Sequence, residues 1–360
     1  ETWASQGRLI FVALSPLLVW MALGLTWAFP KRARLLVIAT VAAFCFAVAL
    51  LTPFLVIVPA YALPAPAESG TSEATFSATD SSALSLLAVR DLPLAVQPGA
   101  YVEFEIDWQV ETPLNRDWSL FAHLITPDGV IIAQRDVYPG SGTLATSDLA
   151  AGYAWRNPLA IPVPSNAYAP STLSVEIGWY DLKTGERLAL PDGSETYVVG
   201  TVELQPRTSD LGVPNSLNLN FDNQIELIGY HLTTLAPAAG ESVDLTLYWR
   251  ALQPIPADYV VFAHIVDPRT TAIYAGSDAM PANGSAPTSG WQPGAIITDT
   301  HTLTVNPDAP PGIYEVEIGL YLNPGDGSFP RLRVVTPDGG MADDFAYLSR
   351  VRVLPREDRT

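Results

Sequence analysis

One pattern occurs twice in the chain, and this internal repeat restricts the fold more than any other feature. "SLFAHLITPDGVIIAQRD" begins at Ser119, and "VVFAHIVDPRTTAIYAGSD" begins at Val260. Matching residues lie 141 or 142 positions apart, as Trp108 and Trp249 do, and the offset changes only at runs of turn residues. A period of this kind is typical of a duplicated structural unit. The sequence therefore predicts two copies of one domain.

Each copy is predicted to consist of β-strands. "YVEFEIDWQV" in the first copy and "SVDLTLYWRA" in the second alternate apolar and polar residues, which is the period of half-buried strands. Short strands divided by turns such as "TPDG" favour a mainly β fold with two tandem antiparallel, Ig-like β-sandwiches. Trp108 and Trp249 lie mid-strand and are predicted to be equivalent core residues. Repeat 1 covers residues 80–205, a linker covers 206–216, and repeat 2 covers 217–355.

Residues 1–60 are predicted to form a transmembrane helical hairpin. The runs 9–29 and 35–58 are almost wholly apolar, and each is long enough to cross a hydrocarbon core of about 30 Å. A secretory signal peptide is the alternative for the first run, but "FPKRAR" follows it instead of a small-residue cleavage site. Buried helices of a soluble protein are the other alternative.

The connector "PKRAR" between the two predicted spans holds three basic residues. Short basic loops stay in the cytoplasm. The chain after Tyr61 is therefore predicted to be extracytoplasmic at the plasma membrane, with the lipid bilayer as a partner. Residues 61–79 are rich in Pro, Ala and Ser and are predicted to be a linker. A hairpin that begins outside also implies an upstream segment, either a removed signal or more of a membrane protein.

The charge and cysteine content of the chain argue against several classes of site. There are 19 Lys and Arg residues against 37 Asp and Glu residues, which gives a net charge of −18 at pH 7. Such a surface repels phosphate backbones, so no nucleic-acid partner is expected. The single cysteine, Cys45, lies in an apolar run and excludes an internal disulfide or a multi-cysteine metal site. No cofactor is expected.

Two long loops carry the candidate ligand-binding residues. "GSGTLATSDLAAGYAW" contains Tyr153 and Trp155, and "ANGSAPTSGWQPGAI" contains Trp291. Binding residues often lie on the rim loops of a sandwich. Two predictions remain open for these rings: they stack on sugar rings, or they pack each loop onto its own domain.

The matched Asp136 and Asp278 each lie just before one of these loops. An Asp in such a place commonly caps the loop backbone, and a cation site is the alternative prediction. His123 and His264 follow a Phe by two residues, so each shares a strand face with that Phe and is predicted to be a buried, hydrogen-bonded histidine. No metal site is predicted, because the chain has no HExxH motif and no cysteine ligand set.

The N-terminal segment also resembles part of a known family. "SQGRLIFVALSPLLVWMALGLTWAFPKRAR", followed by "TPFLVIVPAYALP", resembles the last two spans of multi-span bacterial glycosyltransferases that use polyprenyl-phosphate-linked sugars, the dolichyl-phosphate-mannose mannosyltransferase type. The tandem "FAH", "PTSGW" and "VEIGLY" motifs resemble extracytoplasmic β-domains attached to some members. The resemblance covers most of the chain and implies the C-terminal portion of such a protein. It also implies catalytic acids in early loops upstream, so no catalytic residue is carried over.

The predicted function is a membrane-anchored, extracytoplasmic tandem β-sandwich module. It would be a non-catalytic accessory, binding or assembly region of a glycosyltransferase-like membrane protein, with a glycan or an envelope or membrane protein as partner. No nucleophile-elbow or phosphate-binding motif is present, and no catalytic residue is predicted. The main alternative is a structural subunit of a larger envelope or membrane complex with no sugar role. A carbohydrate-processing enzyme with an unrecognised carboxylate pair is the other alternative.

Overall fold

The computed structural model describes residues 20, 21, 24, 27, 29–79, 81–207 and 209–356. The chain divides into two compact units, Glu1–Leu63 and Pro64–Thr360. The described part of the first unit is helical, and the second unit is built almost entirely from β-strands.

The first unit contains one long apolar helix in its described part. Helix α1 covers Lys31–Thr52, a π-helical turn covers Pro53–Ile57, and a short helix α2 covers Val58–Ala60. Pro53 has no backbone N–H for the hydrogen bond of a regular α-helix. The helix continues through this residue by the wider π-helical turn.

The stretch Lys31–Ile57 is 27 residues long and has a mean hydropathy of 2.7. Its length and composition therefore allow it to cross a membrane, although a signal sequence meets the same criteria. The first predicted span, residues 9–29, lies mostly outside the described residues.

The first β-sandwich is formed by a four-stranded sheet in the order β1-β2-β4-β7 and a five-stranded sheet in the order β3-β9-β8-β5-β6. Its pairings are antiparallel except that between β3 and β9. The apolar faces of both sheets enclose one hydrophobic core. The strands are β1 Ala74–Ser77, β2 Ala83–Arg90, β3 Ala95–Val96, β4 Tyr101–Thr112, β5 Ser119–Ile125, β6 Ile131–Val137, β7 Ala154–Pro162, β8 Ser171–Tyr180 and β9 Tyr197–Leu204.

The second β-sandwich repeats this plan with its own core. Its sheets have the orders β15-β12-β11-β10-β17 and β14-β13-β16-β18. The neighbours β2-β4-β7 thus correspond to β11-β12-β15, and β9-β8-β5-β6 correspond to β18-β16-β13-β14. The strands are β10 Leu219–Phe221, β11 Ile225–Leu232, β12 Ser242–Ala251, β13 Tyr259–Asp267, β14 Ala272–Ala279, β15 Ile296–Thr304, β16 Gly312–Leu322, β17 Val334–Val335 and β18 Ala346–Val353.

The two tryptophans predicted to be equivalent occupy the same place in each core. Trp108 on β4 and Trp249 on β12 are both fully buried. The ring of Trp108 packs edge-on against Trp179 at 4.9 Å, and that of Trp249 packs against Phe221 at 5.9 Å. The prediction of matched core tryptophans is confirmed.

The repeat extends to individual hydrogen bonds in the loops. The Thr146 hydroxyl accepts a hydrogen bond from the backbone N–H of Trp118 at 2.9 Å, and Thr288 accepts one from Tyr259 at 2.9 Å. Short 3-10 turns, Thr146–Asp148 and Thr288–Gly290, present these hydroxyls. The same residue type thus accepts from a buried backbone N–H in both copies.

The segment predicted as a linker, residues 61–79, is partly integrated into the first sandwich. Strand β1 lies within it and pairs antiparallel with β2. Upstream of β1, the Arg156 N–H donates to the Ala65 carbonyl at 2.8 Å, and the Ala67 N–H donates to Ala154 at 3.2 Å. The local sequence has no apolar period, so pairing with the edge of a sheet, rather than local propensity, orders this segment.

The two sandwiches contact each other directly. The Tyr230 hydroxyl of the second donates to the Asn166 carbonyl of the first at 2.9 Å, and the Tyr168 hydroxyl donates to Leu232 at 2.9 Å. At the other end of the contact, the Arg350 guanidinium donates to the Ile131 carbonyl at 2.8 Å. These bonds connect the two repeats within the unit Pro64–Thr360.

Candidate functional site

Two matched polar clusters on the outer faces of the sheets are the candidate functional site. Each combines a histidine, two carboxylates, a tyrosine and an arginine around a phenylalanine ring. Cluster 1 consists of Phe121, His123, Asp136, Glu176, Tyr180 and Arg187, and cluster 2 consists of Phe262, His264, Asp278, Glu317, Tyr321 and Arg331.

The strand period of two places these residues outside the main cores. On β5, Leu120, Ala122 and Leu124 belong to the first core, so Phe121 and His123 face the other way. Each His lies on the same face as the preceding Phe, as predicted, and the Phe121 and His123 rings lie 4.8 Å apart. Both histidines are half-buried, so the prediction that they are buried was wrong. The face is the outer side of the sheet, which the sequence did not reveal.

An arginine covers each phenylalanine ring. The Arg187 guanidinium carbon lies 4.8 Å from the Phe121 ring centre, and that of Arg331 lies 4.5 Å from Phe262. Both phenylalanines are buried as a result. A guanidinium over an aromatic face is attracted by the ring quadrupole, so the charge remains at the surface while the ring is removed from water.

A glycine on the next strand makes room for each ring. A Cβ atom at Gly178 would lie 2.3 Å from Phe121 Cζ, and one at Gly319 would lie 2.4 Å from Phe262 Cζ. These glycines are the "G" of the repeated "VEIG" motif. The motif therefore reflects close approach of a ring to the backbone.

Asp136 and Asp278 belong to these clusters and do not follow the loop-capping prediction. Asp136 accepts a hydrogen bond from the Tyr180 hydroxyl at 3.2 Å, and Asp278 accepts one from Tyr321 at 3.2 Å. Their carboxylates thus connect β6 to β8 and β14 to β16 across the intervening strand.

Other residues cap the loops that follow. Asn157 accepts from the Gly140 N–H at 3.0 Å, and Asp299 accepts from the Ala282 N–H at 2.8 Å. The prediction placed the loop caps on the strands before the loops, at Asp136 and Asp278. The structure places them on the strands after the loops, β7 and β15. In the described residues there is no group of three or more His, Cys, Asp or Glu side chains arranged to hold a metal ion.

The two histidines have opposite electrostatic surroundings. Burial lowers the pKa of His123, and the Arg187 charge adds to this against Asp136 and Glu176. Burial also works to lower the pKa of His264, but the interactions with Glu317 and Asp278 outweigh it and raise the pKa.

The geometry of cluster 2 explains the second shift. His264 Nε2 lies 2.8 Å from an Asp278 oxygen, and its Nδ1 lies 3.9 Å from Glu317. Gly276 faces the imidazole across the strand pair, where a Cβ would lie 3.2 Å from His264 Cδ2, while repeat 1 has Gln134 at that position. Cluster 2 therefore favours the imidazolium, and cluster 1 favours the neutral ring.

We expect the two histidines to change stability with pH in opposite directions. The stabilisation from His264 is fully present below its unfolded pKa of about 6.5 and is lost as the pH rises through its raised folded value. The contribution of His123 is present above about 6.5 and is lost as the pH falls through its lowered folded value. Thermal unfolding measured from acidic to mildly basic pH checks both directions.

The variants His264→Gln and His123→Gln serve as each other's control. His264→Gln is expected to remove the decrease in stability above neutrality, and His123→Gln the decrease on the acidic side. NMR titration of the two rings should place them on opposite sides of the ordinary histidine value. Titration of both rings on the same side would contradict the described geometry.

The aromatic residues predicted to bind sugars are not available for stacking. Trp155 is 0% exposed, lies in the first core and packs against Trp179 at 6.4 Å. Trp291 is 4% exposed, and its indole N–H donates to the Ala286 carbonyl at 2.9 Å. Tyr153 is half-buried against the same core as Trp155.

Of the two predictions left open for these rings, packing of the loop onto its own domain is the one that the structure shows. The sugar-stacking prediction was wrong for the two tryptophans. Trp155 belongs to β7, whose alternation directs every second residue inward.

Repeat 2 also contains a buried polar chain that sequence reasoning missed. The Ser277 hydroxyl lies 3.1 Å from His301 Nδ1, and His301 Nε2 lies 2.9 Å from Asp299. The Trp249 indole N–H also donates to Asp299, at 3.3 Å. His301 and Asp299 are both buried, so the chain is a fully partnered link between β14 and β15. The signal was present in "TDTHT", where polar residues occupy the inward positions of an alternating strand.

Comparisons with known proteins were made by family, by curated sequence and by solved structure. Neither a protein family nor a curated protein matches the chain. A crystal structure of red sea bream transglutaminase matches 76% of this chain and 31% of its own, with 10% identity and a TM-score of 0.19. A mutant of Salmonella alpha-2-macroglobulin matches 76% of this chain and 15% of its own, with 9% identity and a TM-score of 0.22. Such remote similarities assign neither a fold family nor an activity.

Proposed function

We propose that this chain is a membrane-anchored, non-catalytic module that supports assembly of a glycosyltransferase-like membrane protein. The observation that carries the proposal is the combination of an exposed apolar helix, Lys31–Ile57, with two complete sandwiches joined by direct contacts. A connected pair of domains can present two matched surfaces at a constant separation, which suits a scaffold better than a single reaction.

We further propose the membrane arrangement expected from the sequence. Lys31, Arg32 and Arg34 lie at the start of the helix, and basic residues favour the cytoplasmic side. The predicted first span precedes them, so the two spans form a hairpin and the sandwiches lie outside the plasma membrane. The sandwiches belong to the Ig-like class in this proposal, which their antiparallel sheets and repeated strand order support.

Burial of Trp155 and Trp291 favours a partner other than a stacked sugar ring. The exposed groups of the matched clusters are instead charged, namely the carboxylates of Asp136 and Asp278 and the guanidinium groups of Arg187 and Arg331, and Asp278 is more exposed than its partner His264. We therefore propose an envelope or membrane protein as the partner. Burial of the two tryptophans also favours the alternative function, a structural subunit of a larger envelope complex with no sugar role.

A sugar-transfer assay on membranes distinguishes the accessory module from the structural subunit. Membranes carrying the full chain, or a variant with the second core disrupted by Trp249→Ala, would be supplied with a radiolabelled polyprenyl-phosphate sugar. An accessory module predicts a clear decrease in transfer for this variant and none for Glu111→Gln, an exposed residue outside both clusters. Unchanged transfer in both variants would exclude the accessory role and favour the structural subunit.

We expect two charges in the apolar helix to move the sandwiches to the other side of the membrane. A lysine near the centre of a span costs about 2.5–3.5 kcal/mol, so Ala42→Lys with Ala47→Lys should stop the second span from inserting. Protease added outside intact cells should digest the sandwiches of the wild type and spare those of this variant. The matched control, Ala42→Leu with Ala47→Leu, should be digested like the wild type. Protection of the wild-type sandwiches would reverse the proposed orientation.

A further inference from the structure

Strand β15 is an edge strand of the second sandwich, and its outer backbone side is unpaired from Ile296 to Thr304. It lies at one end of the five-stranded sheet and pairs with β12 over nine consecutive positions, from Thr304 opposite Ser242 to Ile296 opposite Arg250, without a bulge. The strand contains no proline, lysine or arginine. Natural sheets normally protect long, regular edges with such residues, with bulges or with a covering segment.

The matched edge strand in repeat 1, β7, has two of these protections. Pro158 and Pro162 occupy the places of Thr300 and Thr304, and proline lacks the donor that a pairing strand requires. The rest of the edge is covered by the chain itself, because Pro66 forms a β-bridge with Trp155. Repeat 1 therefore shows that an extended segment can pair at this edge, whereas the described part of repeat 2 has neither the prolines nor such a covering segment on β15.

The backbone groups of alternate β15 residues face away from β12. Val305, just after the strand, donates to the Glu241 carbonyl at 2.8 Å and accepts from the Gly240 N–H at 3.0 Å, so odd-numbered residues bond inward. In an antiparallel ladder the residues between them direct their N–H and C=O groups to the other side. In the described part of the chain, no backbone group pairs with that side of Ile296, Thr298, Thr300, Thr302 or Thr304. Beyond the strand, the N–H of Asn306 donates to the Tyr274 carbonyl of β14 at 2.7 Å, so the unpaired stretch ends at Thr304.

The outward side chains of this edge are uncharged. Thr298, Thr300, Thr302 and Thr304 are exposed on the outer face, and the hydroxyls of Thr300 and Thr304 meet those of Thr246 and Ser242 at 3.1 and 2.9 Å. The ionisable residues of the strand, Asp299 and His301, point inward and are buried. The outward side chains of the strand are thus uncharged, and the nearest charge in contact with them is the Asp244 carboxylate of β12, which accepts from the Thr302 hydroxyl at 2.7 Å.

We propose that β15 pairs antiparallel with β15 of a second copy of this chain, about a two-fold axis at Thr300. Thr298 then lies opposite Thr302 of the other copy, and Ile296 lies opposite Thr304. Threonine pairs across antiparallel strands are favourable, and no like charges face each other. The alternating outward groups allow about ten hydrogen bonds between the strands. The β15-containing sheets of the two copies, with five strands each, then form one continuous sheet, and the β15 edge is removed from solvent.

A single cysteine at the proposed axis tests this pairing in the full chain. In detergent, with Cys45→Ser to remove the native thiol, Thr300→Cys should give a covalent dimer with a short thiol-to-thiol reagent. Thr246→Cys is the matched control, since Thr246 faces the same side directly opposite Thr300 on β12. Two such thiols would be three strand spacings apart, about 14 Å, so the yield should be at least roughly ten-fold lower. Moderate salt screens the general repulsion between acidic copies.

A proline introduced at the same place supplies the second test. Thr300→Pro introduces the proline that repeat 1 has at the matching position, Pro158, so the fold should accept it. The substitution removes the outward N–H of residue 300, at the centre of the proposed pairing. The particle mass of the full chain should decrease from dimer to monomer for Thr300→Pro and remain dimeric for Thr300→Val. Equal cross-linking of the Thr246→Cys and Thr300→Cys variants, an unchanged mass for Thr300→Pro, or cross-linking of the Thr300→Cys variant only to a different protein would each overturn the proposal.

Discussion

Replacing Trp249 with alanine is expected to lower the free energy of unfolding of the second sandwich by about 3–5 kcal/mol, the usual range for a fully buried tryptophan. The ring is 0% exposed and packs against Phe221. Its indole N–H also donates to the buried carboxylate of Asp299, so the substitution removes a donor as well as apolar contact. Denaturant unfolding followed by near-UV circular dichroism measures the loss.

The matched residue of the first repeat separates the two contributions. Trp108 is equally buried, but no protein group among the described residues accepts a hydrogen bond from its indole N–H. Trp108→Ala should therefore cost the packing contribution alone, and Trp249→Ala should cost at least as much. Phenylalanine at either position retains much of the packing and should cost less. A loss near zero for both alanine variants would contradict the two cores.

Gly178→Ala and Gly319→Ala are expected to destabilise the outer faces by roughly 2–3 kcal/mol, because both add a methyl group where there is no space. At Gly178 the new Cβ would lie 2.3 Å from Phe121 Cζ and 2.5 Å from the backbone oxygen of Glu195. At Gly319 the corresponding backbone oxygen, that of Asp344, is 3.0 Å away. Since backbone yields less than a ring, the cost should be larger at Gly178.

A glycine with free space around it and a double-mutant cycle provide the controls for this prediction. Gly290 has no atom within 4 Å of its added Cβ, so Gly290→Ala should leave stability nearly unchanged. Phe121→Leu removes the far end of the ring and should reduce the cost of Gly178→Ala, since residues in contact are not additive. Equal costs at Gly178 and Gly290 would show that the Phe121 ring does not lie where the structure places it.

The candidate site was only partly predictable from the sequence. The shared strand face of His123 and Phe121 follows from a separation of two residues, which any strand imposes. Whether that face lies inside or outside depends on which side of the sheet meets the other sheet. The opposite pKa shifts of His123 and His264 depend further on side-chain contacts, since both repeats carry the same His, Asp and Glu.

The sequence by itself determined the duplication, the β-rich composition of both copies and the equivalence of Trp108 and Trp249. These properties are local, because alternation and a constant offset can be counted along the chain. Only the tertiary structure decided that Trp155 and Trp291 are buried, that Asp136 and Asp278 bind tyrosine hydroxyls, and that the segment before β1 covers the edge of β7. Each of these depends on contacts between residues distant in sequence. Burial and edge pairing are therefore set by how the sheets meet, which a single strand's pattern does not encode.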